Sequence, residues 1–177
     1  MTTIEQPAQT IPVGTWQADT VHSALTFEVP YAVATFSGEV TGFEASLEDG
    51  ALAGSGRIET LQVKDENLRA HLLSPEFFDA ERHPAVGFAS SAIRRDGDAV
   101  EVEGELTLKG VTKQVTLRGT ATGPAVDHFG ATRLGLALQT TIDRTEFDIA
   151  WNMPLPTGEP ALANDVTLKA DLTLVQQ

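Results

Sequence analysis

The sequence predicts an all-β fold, an antiparallel barrel of about eight strands with a short helical segment near residues 65–79. Three observations carry this. Apolar and polar residues alternate at period two through most of the chain, the mark of strands buried on one face. Glu48-Asp49-Gly50 and Asp96-Gly97-Asp98 place hairpin-turn chemistry between alternating runs. Between Asp65 and Leu73 the period lengthens, and Leu68 and Leu72 fall four apart on one helical face. Alternation by itself does not separate a barrel from a two-sheet sandwich, but eight strands suit closure.

The elements follow in order. Residues 1–13 are polar, carry Pro7 and Pro12, and read as a flexible tail before a domain over 14–177. Leu25, Phe27 and Val29 form the first inward row. Thr41, Phe43, Ala45 and Leu47 alternate against Val40, Gly42 and Glu44 as one run. A weaker stretch spans Leu52 to Val63. Asp65 suits an N-cap, and Ser74-Pro75 reads as the cap and first residue of a further helical turn carrying Phe77 and Phe78. Val86, Phe88, Ser90 and Ala92 make the next inward row. Val100 to Leu108, Val115 to Ala121, Leu134 to Ile142 and Val166 to Leu174 complete the pattern. One polar face per strand fits antiparallel pairing, since parallel strands are apolar on both faces.

Composition excludes several function classes. The 177 residues contain no Cys, so disulfides, thiolate metal sites and cysteine nucleophiles are out. The net charge of -13 repels phosphate backbones and anionic membranes, so no nucleic-acid partner is expected. No apolar stretch approaches a membrane span of about 18 residues, so no stable membrane insertion is expected. Met1 to Pro12 has neither a basic start nor an apolar core, which predicts a cytoplasmic protein, or a periplasmic or secreted one only if a leader has been removed. The four histidines, His22, His71, His83 and His128, lack metal-site spacing, and no cofactor is implied. Ser23 beside His22 faces the opposite side of a strand, and no Gly-x-Ser-x-Gly elbow exists, so no catalytic triad is read.

The chain resembles a known family at many points. Trp16, Asp19, His22-Ser23 and Phe27 resemble an opening W-x-x-D-x-x-H-S-x-x-x-F. Asp65 to Phe88 resembles D-x-x-L-x-x-H-L-x-S-x-x-F-F-D-x-x-x-x-P-x-x-x-F, and Gly104 to Lys113 resembles G-x-L-T-x-K-G-V-T-K. Phe129-Gly130 to Gly135, Asp143-Arg144 with Phe147 and Trp151, and Asn164-Asp165-Val166 match later parts. On these residues the chain is similar to the YceI-like family of lipocalin-like barrels. The pattern departs at Val29-Pro30-Tyr31, where the family carries a basic V-R-H. The resemblance implies an elongated barrel, often a homodimer, that binds or carries an isoprenoid or other long-chain lipid; it implies no enzyme activity, and none is expected.

Candidate ligand-binding residues follow from the aromatic content and the helical segment. They are Phe27, Val29, Phe36, Phe43, Leu72, Phe77, Phe78, Phe88 and Trp151 for the apolar chain, with Arg69 and His71 for a head group at the barrel mouth. Small inward residues, among them Gly104, Gly119, Ala121, Gly123 and Ala170, are expected to leave the space. Arg144 is expected to pair with Asp148 or Asp19 as a structural clamp. Two other readings stand beside the carrier: an enzyme acting on an isoprenoid or quinone in the cavity, and a stress or scaffold protein whose barrel is filled by its own side chains.

Overall fold

The structure, a computed structural model, describes residues 10–177. Most of the tail expected over 1–13 therefore lies outside the described residues, but Ile11 packs against the core. In chain order the elements are β1 (Thr15–Ala18), β2 (Ala24–Tyr31), β3 (Ala34–Val40), β4 (Phe43–Glu48) and β5 (Ala51–Arg57). A 3-10 turn at Ile58–Thr60, β6 (Leu61–Gln62) and α1 (Glu66–Leu73) follow. The second half holds β7 (Ala85–Asp96), β8 (Ala99–Leu108), β9 (Val111–Val126) and β10 (Thr132–Asp143), then a 3-10 turn at Arg144–Phe147 and β11 (Asp165–Gln176).

Eight of these strands close a ring. The order is β1-β4-β5-β7-β8-β9-β10-β11, and β11 returns to β1 through Trp16↔Gln176 and Ala18↔Leu174. Every pairing is antiparallel, as the one-sided alternation requires. Two-residue turns fix the register, with φ > 0 at Asp49, Gly50, Gly97, Lys109 and Gly110. Beyond the ring, β2, β3 and β6 extend the wall from β11 at the opposite end. There β6 pairs only with Glu39 and Val40 of β3. The wall between β6 and β7 is spanned by α1 and the turns after it, whose Leu72, Phe77 and Phe78 point inward.

Three sequence expectations change here. The single run through Val40 to Leu47 is two strands, because a turn at Thr41-Gly42 lets both Val40 and Phe43 face inward. The row Val86, Phe88, Ser90, Ala92 breaks at a bulge between Ser90 and Ala92, which turns Ala92 outward and Ile93 and Arg95 inward. Ser74 does not cap a second helix. Its hydroxyl donates back to the carbonyl of His71, 2.5 Å away, and it ends α1, while residues 75–82 are turns. Asp65 caps α1 as read, accepting from the Leu68 amide at 2.9 Å.

Candidate functional site

The barrel is packed at one end and hollow at the other. At the ring end Trp16, Leu47, Val102, Leu134 and Leu174 fill the interior. At the other end lies a cavity of about 200 Å³ walled almost wholly by aliphatic and aromatic side chains. Of the candidate residues, Phe27, Val29, Phe36, Phe43, Leu72, Phe77, Phe78 and Phe88 line it, and Arg69, His71 and Trp151 do not. Strand residues outside the candidate set complete the wall, among them Leu25, Val86, Leu106, Val115 and Leu168. Their signal in the sequence was the same alternation that predicts the strands.

The cavity does not come from the glycines expected to create it. A Cβ on Gly104 would overlap the Ala89 carbonyl oxygen and the Phe88 ring, and one on Gly119 would overlap the Ala137 carbonyl oxygen. Those glycines let backbones approach closely. Room exists because the strands part at this end, with Gly54, Gly56 and Ala170 on the wall.

Aromatic contacts hold the cover in place. Phe27 meets Phe36 and Phe78 edge-on at 6.0 Å, joining the wall to the segment after α1. Behind that cover His71 packs on Phe77 at 4.8 Å and on Trp151 at 4.6 Å, and its Nε2 meets Glu76 Oε2 at 2.5 Å. Arg69 turns away from the interior. Its Nε donates to the Leu61 carbonyl at 2.8 Å and its guanidinium also reaches the Glu59 carbonyl, so it pins α1 to β6.

Arg144 is the buried cation of the site, 3% exposed and on the cavity wall. It pairs with neither Asp148 nor Asp19. Its N–H groups donate to the carbonyls of Ala163, Ile149, Trp151 and Leu162 and to Asn164 Oδ1, which fixes the loop between β10 and β11. Burial pushes its pKa down. Asp19 instead binds Arg133 at 3.0 Å and His22 at 2.7 Å on the far end of the barrel. The other ionisable residues touching the cavity, Glu44 and Lys169, belong to outward rows, and Lys169 pairs with Glu28. Among the described residues no three His, Asp or Glu side chains gather as a metal site, and no helix is long and apolar enough to cross a membrane.

A model of the YceI-like domain matches residues 16–174. The chain belongs to the YceI-like family. A UPF0312 protein of Pseudomonas putida (strain W619) is 31% identical over 115 residues, 64% of this chain. The match spans 60% of that relative's length. BcnA of Burkholderia cenocepacia has the same YceI-like architecture, with a TM-score of 0.75 at 20% identity over 88% of this chain and 98% of that one. A polyisoprenoid binding domain from Saccharophagus degradans superposes with a TM-score of 0.71 at 10% identity over 92% and 98% of the two chains. These two likenesses establish the shared fold.

Proposed function

We propose that this chain is a binding or carrier protein that buries the apolar tail of an isoprenoid or other long-chain lipid in the hollow half of its barrel. The observation that carries the reading is the apolar cavity itself. At about 30 Å³ per packed water-sized group, its volume of about 200 Å³ holds roughly seven such groups. Burying about seven methylenes at about 0.8 kcal/mol each gives about 6 kcal/mol before association and ordering costs. The polyisoprenoid binding of the Saccharophagus domain supports the ligand class.

The polar inventory favours binding over catalysis. General acid–base chemistry needs two convergent titratable groups within reach of a substrate. Among the described residues, the buried ionisable group on the cavity wall is Arg144, and its donors are committed to main-chain carbonyls. The test is solvent extraction and mass spectrometry of gently purified protein, with thermal shifts on adding farnesol. A co-purified long-chain lipid and a raised Tm are expected. No extracted lipid together with no shift overturns the reading, and turnover of an extracted lipid favours the enzyme.

A further inference from the structure

The hollow end has a second break in its wall, opposite in kind to the one α1 covers. Ladder pairing between β9 and β10 runs from Thr132↔Val126 to Gln139↔Arg118 and stops. Past that point β9 keeps only β8, down to Leu108↔Val111, and β10 keeps only β11, to Asp143↔Asp165. The two edges diverge with no pairing between them. Inward Val115 and Leu117 on one edge and Ile142 on the other line the cavity. Outward Thr116, Gln139 and Thr141 line a polar cleft directly outside. Leu138, Thr140 and Lys169 border both spaces, so only this seam separates them.

Two edges that share no ladder can separate without breaking backbone hydrogen bonds. Among the described residues, one side-chain hydrogen bond spans the seam's mouth. Lys109, at the β8–β9 turn, donates from Nζ to the Asp148 carbonyl at 2.9 Å and to the Pro75 carbonyl at 2.8 Å. The α1 side is held more firmly, by the Arg69 bonds and the His71, Phe77 and Trp151 cluster. The outer cleft has a definite chemistry. It offers threonine hydroxyls and the Gln139 amide, while Arg118 is paired with Glu101 at 3.1 Å and Lys169 with Glu28 at 3.2 Å. Asp171 adds a negative charge. Such a surface hydrogen-bonds a neutral polar group and has no uncommitted cation for a diphosphate.

We propose that the ligand's chain passes sideways through the β9/β10 seam and its uncharged, hydrogen-bonding head rests in the outer cleft, with Lys109 as the latch. This rests on the carrier reading, and the experiment separates the two. The chain has no native cysteine, so Thr116→Cys/Thr141→Cys can be bridged by a short bis-methanethiosulfonate. Thr107→Cys/Thr112→Cys, a pair within the β8–β9 ladder that does not cross the seam, is the control. The probe is the neutral dye N-phenyl-1-naphthylamine, followed by stopped-flow fluorescence on delipidated protein. Bridging the seam is expected to slow both uptake and release at least tenfold, reversibly on reduction, while the control stays within twofold. Lys109→Met is expected to speed release about fivefold, with Lys109→Arg close to wild type. Farnesol is expected to displace the dye at least tenfold better than farnesyl diphosphate. If wild type binds the dye and the bridged seam leaves both rates unchanged, the route is overturned. Equal displacement by the two prenyl compounds overturns the neutral head site. If wild type takes up no dye, the cavity reading itself falls, and the seam with it.

Discussion

Trp16, Leu47 and Leu134 at the ring end are at most 1% exposed, whereas Val86, Phe88, Val115 and Leu168 at the other end face inward yet stay only half-buried. The same alternating pattern produces both halves. Where eight strands pair all the way round, side chains from opposite walls meet and exclude space. Where β6 parts from β7 and β9 parts from β10, residues such as Phe27, Leu72 and Phe78 pack on one another but leave a cavity between the walls. Hollowness here is set by which strands stay paired, more than by the size of the residues between them.

That contrast is open to direct attack. The largest effect should come from Trp16→Ala, which empties the packed end and costs about 3–5 kcal/mol. Urea unfolding measures it, and dye affinity in the folded fraction should stay within twofold; loss of binding at equal stability would show the two halves are one unit. Arg144→Met comes next. It leaves the buried Ile149 carbonyl and the part-buried Ala163 and Trp151 carbonyls without their guanidinium donors, at about 1–3 kcal/mol for a buried group, so a loss of about 3 kcal/mol is expected. A near-neutral result would mean that loop is held by its apolar residues alone.

Most strands, and the aromatics Phe27, Phe43 and Phe88 on them, were legible because period-two alternation reports directly on which side of a wall a residue stands, whereas β1 and β3 gave no alternating row and Trp151 falls in a loop off the cavity. The helical segment was legible because Leu68 and Leu72 sit at helical spacing behind the Asp65 cap. What could not be read was anything set by pairing partners far away in sequence. The bulge that turns Arg95 inward depends on β8, and the close approach at Gly119 depends on Ala137 of β10. Arg144 carries the same lesson. A charge near Asp143 and Asp148 in sequence reads as an ion pair, yet its partners are carbonyls of the following loop, from Ile149 to Ala163, invisible until the loop folds back. Arg69 likewise lies on the helix beside the mouth but is drawn to the carbonyls of Glu59 and Leu61.

A third change separates room from stability. Leu168→Trp places a large ring into the hollow half, where the wall already has space. Dye affinity should fall at least tenfold, about 1.4 kcal/mol of binding. The unfolding free energy should change by no more than about 1 kcal/mol, at the low end of overpacking costs because the site is not filled. A loss of 3 kcal/mol in stability would mean the cavity closes in solution.

The smallest effect tests the electrostatics of the packed end. The Asp19 carboxyl is held well below the usual range by hydrogen bonds from His22 and then Arg133, and Asp127 is lowered chiefly by Arg133. A carboxylate whose native pKa lies below its unfolded value of about 3.9 stabilises the fold fully above that pH. That contribution is lost as pH falls through the native pKa. Asp19→Asn should therefore be less stable than wild type at pH 7, and the gap in urea midpoint should narrow steadily from pH 4 to pH 2.5. The network is only partly exposed, with His22 its most open member, so added salt should narrow the gap modestly. A gap independent of pH would mean Asp19 acts through the shape of its hydrogen bonds and not through its charge, while dye binding at the hollow end should stay the same in either case.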